Sequence, residues 1–441
     1  MNMRKFLLLI LCLAFLPGNS LSELSLPPEK TVTPVILIPG VTRTLLGKGE
    51  KGPLVWGSTR SFFEVVPRDE LALPIDSANL RENRDNIVVR GLMSKISLIP
   101  LFLELYTYKR FLKTIETTPG YQLGDIDHPK RGDNFFIFIY DWRRDNVEHA
   151  QLLAQKIEKL KTFFGQDNMR FDIVAHSNAS YIARYYALYG EKDVLDEPNP
   201  KPTYAGAGNI RKLIMIGAPH RGTLFAFQIL HEGFTPVRLP FVMNFSPYEA
   251  FTSPVFYELL PPSGEPVFVD PKGIPVKLDL YDYSNWIRYG WSVFSKKEEG
   301  RLRNRLKRQF RLTWKEEYLK EQRKRIRYLK AVLERADHFH RVLDEASKTL
   351  PGFLQAYSLV FTWGPTLARA EFGGTKKELR FRNSQGKPFC YDSGDLIVTT
   401  ASMEGHYQES KPKEIRVHEK HRRMANSSTV HRLIMQILLS R

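Results

Sequence analysis

The stretch from Phe171 to Ser180 constrains this chain more than any other: Phe-Asp-Ile-Val-Ala-His-Ser-Asn-Ala-Ser. An apolar run leads directly into Ser177, and a helical pattern begins at once. A turn that tight lifts a serine hydroxyl clear of the sheet end and needs small residues two positions either side, where strained backbone crowds its neighbours. Ala175 and Ala179 fill those places where glycine is usual, and Ala179 adds a methyl where the helix must pack closely. The stretch reads as a nucleophile elbow. Taken alone it also fits an ordinary buried serine between a strand and a helix, because short motifs match by accident.

Three more short apolar runs have the look of buried strands: Val35 to Ile38 ahead of Pro39-Gly40, Asn134 to Tyr140, and Lys212 to Gly217. Helical spacing separates them, with Ala150, Leu153, Ile157 and Leu160 between residues 146 and 164, and Tyr181 to Tyr189 after the elbow. Strands alternating with helices predict parallel strands joined by crossovers, an α/β sheet covered on both faces. The alternation stops after Gly222 and resumes at Gln355 to Phe361 and Asp392 to Val398. We therefore expect a core of residues 23–222 and 351–441, with a smaller insertion at about 60–120 and a cap or lid inserted at 223–350. The smaller insertion contains an apolar patch, Ile96 to Leu103, that could face lipid or pack in the core. An amphipathic helix from Thr429 to Leu439 closes the chain.

Residues 1–22 have a basic start, an apolar run of about eleven residues, a Pro17-Gly18 break and a small-x-small end at Ser20 to Ser22, the pattern of a secretory signal peptide. That run is shorter than the roughly 20 residues needed to span a bilayer. Of the two cysteines, Cys12 falls in this leader, so the mature chain would keep only Cys390 and form no internal disulfide. The expectation is export, periplasmic or secreted, with a bacterial leaning. The formal charge of +17 is concentrated in residues 296–347, read as basic helices that carry Arg301, Arg303, Arg305, Lys307, Arg308, Arg311 and the run Arg323-Lys324-Arg325. Two readings stand for it, a solvated salt-bridged pair and a face for an anionic membrane. Nucleic acid is excluded as a partner, since no recognised binding module accompanies the charge.

A serine needs a histidine to take its proton and a carboxylate to hold that histidine, and on this kind of fold they follow in the order Ser, acid, His. Asp395, after Gly394, and His421, in a loop before the last helix, supply that order. Asp392 and His418 compete for the two roles, while His431 lies inside the last helix and His176 belongs to the elbow. The chain resembles the lecithin:cholesterol acyltransferase family, which includes phospholipid:diacylglycerol acyltransferases. The resemblance rests on Ile38-Pro39-Gly40, Val55-Trp56-Gly57, Tyr140-Asp141-Trp142-Arg143, the elbow, Gly217-Ala218-Pro219-His220-Arg221-Gly222, Gly394-Asp395-x-x-Val398, and His421 with Asn426. They run in order from about residue 33 to 440.

The resemblance implies an α/β-hydrolase fold, a mostly parallel sheet flanked by helices with a large helical cap. It also implies an enzyme that takes an acyl group from a lipid ester onto Ser177 and passes it to an alcohol or water. Asp395 would be the acid and His421 the base, with backbone N–H groups of Val41 and Asn178 binding the oxyanion. Departures are Ala179 for glycine, Asn178 for Met or Leu, Leu396-Ile397 after the acid, and the absence of the animal members' paired cysteines. The substrate expected is a lipid or ester. No cofactor motif and no metal-ligand spacing are present. A soluble esterase or thioesterase, and a non-catalytic binding protein on a decayed scaffold, are the alternative functions.

Overall fold

Runs of Val, Ile, Leu and Phe with no exposed member form strands only where both faces of a sheet are covered. Val35–Ile38 (β1) is such a run, and all four of its side chains are fully buried. In the computed structural model, which describes residues 32–58, 69–93, 95–98, 103–106, 108–234, 245–346, 350–373, 378–382, 390–407, 411–423 and 425–440, six further strands join it. They are Leu123–Gly124 (β2), Phe135–Ile137 (β3), Phe171–His176 (β4), Ile210–Ile216 (β5), Gln355–Phe361 (β6) and Lys413–Val417 (β7). Their order across the sheet is β7-β6-β5-β4-β1-β3-β2, with every neighbouring pair parallel. Residues 33–441 form one compact unit.

Crossover helices follow from local signals. Asp145 caps Asn146–Phe164 (α1) by accepting from the Val147 N–H at 2.7 Å, and Gly165 ends it in the left-handed region. Ala150, Leu153, Ile157 and Leu160 are buried along one face, as their spacing predicts. Ala179–Tyr189 (α2) is buried on every side, with all eleven residues enclosed. Between β5 and β6 come Leu224–Glu232 (α3), several short helices, and the long pair Lys296–Phe310 (α4) and Trp314–Ala346 (α5). The chain closes with Ser428–Leu439 (α6). Lys212 on β5 donates to the carbonyls of Ile437 and Ser440, both at 2.6 Å, at the end of α6 where a cation offsets the helix dipole.

The structure differs from expectation in three places. The strand signal at Asp392 to Val398 is not part of the central sheet: Cys390–Gly394 pairs antiparallel with Gly364–Gly373 in a separate small sheet. It stops at Gly394 because the chain folds back there, and a Cβ on that glycine would lie 2.3 Å from the Val398 carbonyl oxygen. β7 was not anticipated, since Lys413–Val417 is an edge strand with mostly exposed side chains. β2 has only two residues, too few for a pattern. In the apolar patch, Lys95–Leu98 and Leu103–Tyr106 pair as antiparallel strands, but their side chains, like the leader at 1–22, lie outside the described residues. Among the described residues no helix is long and apolar enough to cross a membrane.

Candidate active site

Ser177 stands at the carboxyl end of β4 with φ +59, a left-handed conformation that is strained for serine. Its N–H donates to the Ile216 carbonyl on β5 at 2.8 Å, and its own carbonyl accepts from Ser180 as α2 begins. The two bonds hold the hydroxyl above the sheet edge. Ala175 and Ala179 are both fully buried, so the elbow closes around alanine at both positions.

Ser177 Oγ is 2.8 Å from His421 Nε2, and His421 Nδ1 is 2.6 Å from Asp395 Oδ2. Asp395 is fully buried, and its other oxygen accepts from the Ile397 and Val398 N–H groups at 3.0 and 2.7 Å. The His421 N–H also donates to the Asp395 carbonyl at 3.1 Å, tying the two loops together. Beneath the imidazole lies Gly217 at φ +58, where a Cβ would come within 3.2 Å of Nδ1. The competing residues are elsewhere. Asp392 is exposed on the small sheet, His418 is exposed and bonded to the Thr362 carbonyl at 2.6 Å, and His431 packs on Phe111.

Val41 lines the same pocket as Ser177 and Asn178 follows the serine directly, and neither backbone N–H has a hydrogen-bond partner among the described residues. The motif residues fix the turn that carries Val41. Tyr140 donates its hydroxyl to the Pro39 carbonyl at 2.8 Å, and the Trp56 indole donates to Thr42, which sits at φ +67. Trp142 packs on Trp56 with ring centres 5.0 Å apart. Arg143 is fully buried and held between the carboxylates of Asp141 and Asp85, each at 2.7 Å.

Sequence reasoning missed two supports. Tyr108 accepts from the Gly40 N–H at 3.3 Å and lies 2.8 Å from His176 Nδ1, so its own proton goes to that nitrogen. Burial, then His421 and Arg43, hold His176 well below the usual imidazole range, which suits this acceptor role. The Asn178 side chain exchanges hydrogen bonds with Asn146 at 2.8 and 3.1 Å, and the Asn146 N–H donates to Glu258. Burial and neighbouring Asp145 push the Glu258 carboxyl well above the usual range. No spacing links these partners. Above the serine, Phe225, Ile229, Phe234, Phe245, Phe256 and Leu259 make an apolar pocket.

No protein-family model and no curated protein matches the chain. Among solved structures, a chain of the Tle4–Tli4 complex aligns with a TM-score of 0.50 at 13% identity, covering 93% of this chain and 99% of that one. The fold is that of an α/β-hydrolase. Looser likenesses are to lipase 1 from Pelosinus fermentans (TM-score 0.35, 13% identity, 93% and 100% covered) and to the mature Bacillus licheniformis lipase BlEst2 (0.33, 10%, 93% and 94%). Their scores are too low to add to it.

Proposed function

We propose that the chain is a serine-dependent lipid acyl hydrolase or O-acyltransferase that works through an acyl-enzyme on Ser177. The observation that carries this reading is the unbroken Ser177, His421, Asp395 hydrogen-bond chain at the floor of an apolar pocket. In the proposed reaction His421 Nε2 takes the serine proton as Oγ attacks the ester carbonyl, and the Asp395 carboxylate steadies the imidazolium. The Val41 and Asn178 N–H groups receive the developing oxyanion. His421 then protonates the departing alkoxide and activates the water or alcohol that removes the acyl group.

Kinship with the lecithin:cholesterol acyltransferase family belongs to the same proposal. It is supported by the work that Tyr140, Trp142 and Trp56 do around the Pro39 to Thr42 turn. We also propose residues 1–22 as a leader for export and 223–350 as a cap, since α3, Phe256 and Leu259 contribute pocket wall. The apolar lining favours a lipid over a soluble ester or thioester, and the complete hydrogen-bond chain counts against a decayed scaffold.

Contact with an anionic membrane is proposed for the turn between α4 and α5 rather than for the whole basic stretch. Along the helices Arg301, Arg303, Lys320, Lys324, Arg325 and Arg341 are all engaged by acidic residues. At the turn, Leu312 is 97% exposed, with Arg308, Arg311 and Lys315 exposed around it. Apolar and cationic groups together suit a lipid surface.

Labelling with a fluorophosphonate probe tests the central claim without a known substrate. The wild type should react covalently at Ser177, and Ser177→Ala should take no label while keeping its melting temperature. An unreactive wild type would sink the reading.

A further inference from the structure

Asn178 directly follows the proposed nucleophile, at the very start of α2. An asparagine placed there ordinarily turns its side chain back to accept from the backbone of its own helix. Asn178 makes no such bond. Its amide is spent instead on Asn146, 32 residues away at the start of α1, in a reciprocal pair at 2.8 and 3.1 Å with both residues fully buried. Two buried amides gain little stability over apolar packing of the same shape, and leaving either one alone is costly. What a satisfied buried pair supplies is a fixed orientation.

Asn146 is in turn held from the proposed cap. Its N–H donates to both carboxyl oxygens of Glu258, at 3.0 and 3.3 Å, and Glu258 is the buried last residue of the short helix Pro254–Glu258. Phe256 and Leu259, on either side of Glu258, line the pocket over Ser177. A second tie runs beside the first: Asp145, which caps α1, is bonded to Arg335 on α5. Neither Asn146 nor Glu258 lines the pocket itself. Their hydrogen-bonded path to the reacting atoms runs through Asn178.

We infer that Asn146, held by Glu258 of the cap, is a positioning residue that aims the Asn178 N–H at the oxyanion, so the segment that walls the pocket also sets the stabilising power of the site beneath it. The inference rests on the reading of Ser177 as nucleophile and of Asn178 as an oxyanion donor. Such a donor works only if it is aimed before the charge develops. A misplacement of about 1 Å costs on the order of 10²-fold in rate. The peptide between Ser177 and Asn178 needs a brace, because Ser177 is held at φ +59, a conformation its own backbone does not favour. Rotation of that peptide would carry the N–H away from its target. The amide pair resists the rotation at the Asn178 side chain, and Glu258 steadies Asn146 in the first turn of α1, where a helix otherwise frays.

The test compares two inhibitors with one carbon skeleton. An alkyl trifluoromethyl ketone accepts Ser177 Oγ at its carbonyl carbon: the carbonyl π pair moves onto oxygen, the serine proton passes to His421, and the new oxyanion needs its donors. The corresponding trifluoromethyl alcohol fills the same pocket and forms no adduct. Asn146→Ala should weaken the ketone about 10- to 100-fold and lower kcat on a chromogenic ester by a similar factor, with alcohol affinity and KM moving less than about twofold. Glu258→Ala should act in the same direction by a smaller factor. Burial, then Asp145, raise the Glu258 carboxyl well above the usual range, so Glu258→Gln imitates the protonated acid and should recover most of that loss. Asn146→Leu with Asn178→Leu keeps the volume and leaves no buried amide of the pair unsatisfied, so it reads the role where Asn146→Ala fails to fold. It should lose ketone affinity with the alcohol unmoved. Ketone and alcohol weakened alike in the Asn146 variants would make the pair merely structural and overturn the inference, as would an unmoved ketone. A loss in the Asn146 variants with none in Glu258→Ala overturns the part given to the cap. Fluorophosphonate labelling of the wild type separates these failures from that of the underlying reading. A labelled wild type with unmoved variants refutes the positioning role alone, and an unlabelled one refutes the nucleophile.

Discussion

Around Ser177 the side chains take specific partners from distant parts of the chain, whereas along α4 and α5 many charges pair with an opposite charge about a turn away. Asp395 gives one oxygen to His421 and the other to two backbone donors. Arg301 bonds Glu298, Lys320 bonds Glu317 and Arg341 bonds Asp337, all at helical spacing. Exposed pairs of the second kind contribute a few tenths of a kcal/mol each and are interchangeable. Partners of the first kind are drawn from distant parts of the chain and cannot be exchanged. The comparison teaches that charge density is a poor guide to where this molecule is intolerant of change.

The largest effect should come from the histidine. His421→Ala removes the only imidazole within reach of Ser177 Oγ among the described residues, and triad members fail as a unit, so acyl turnover should fall about 10⁴-fold or more. His418→Ala, which loses a bond to the Thr362 carbonyl and a stack on Trp363, should change turnover less than about threefold. Steady-state kinetics on a chromogenic short-chain ester decide it. The reverse pattern would mean that the wrong loop has been assigned the base.

Next is the floor under the imidazole. Gly217→Ala places a methyl 3.2 Å from His421 Nδ1 at a backbone angle alanine disfavours. Displacing the base by a fraction of an ångström should cost kcat on the order of 10²-fold, with KM little changed. Near-normal kcat would show that the loops bearing Asp395 and His421 yield more readily than their mutual bonds imply.

The site was legible in the sequence where the fold dictates chain order and a local motif marks the spot. The elbow pointed to Ser177, Gly394 separated Asp395 from Asp392, and the strand-helix alternation predicted five of the seven central strands. Long-range partners were not legible. Tyr108 meets His176 across 68 residues, and Asn146 meets Glu258 across 112, with no periodicity to connect them. The edge strand β7 escaped for another reason: an exposed strand lacks the apolar run that marks its buried neighbours.

Glu258 offers a smaller and pH-dependent test of the distant support. Its carboxyl is raised well above the usual value in the fold, so the folded protein holds a proton that the unfolded chain releases near pH 4.3. The stability it contributes is fully present below that pH and is lost as pH climbs through the raised value, by up to about 1.4 kcal/mol per pH unit. Glu258→Gln keeps the shape but cannot ionise. Its melting temperature should decline less steeply with rising pH than that of the wild type, and parallel curves would mean that Glu258 is ionised beside Asp145.

The smallest effect expected lies in the helix pair, where the comparison is sharpest. If the α4–α5 turn touches lipid, its contribution comes from one apolar side chain and a few cations, unlike the dispersed pairs along the helices. Each cation near an anionic surface adds about 1 kcal/mol, fading within a Debye length. Leu312→Ser and Arg311→Gln should each weaken binding to phosphatidylglycerol vesicles roughly fivefold at low salt. The arginine effect should shrink in high salt and the leucine effect should persist. Neutralising Lys324 and Arg325, which are engaged by Asp76 and Glu321, should matter less than either, because their charge is already balanced within the protein. Vesicle co-sedimentation measures all of these on one preparation. Equal losses from the tip and from the paired residues would mean that the membrane responds to total charge and not to the turn. No loss from any of them would return the basic helices to a solvated, salt-bridged pair with no lipid contact.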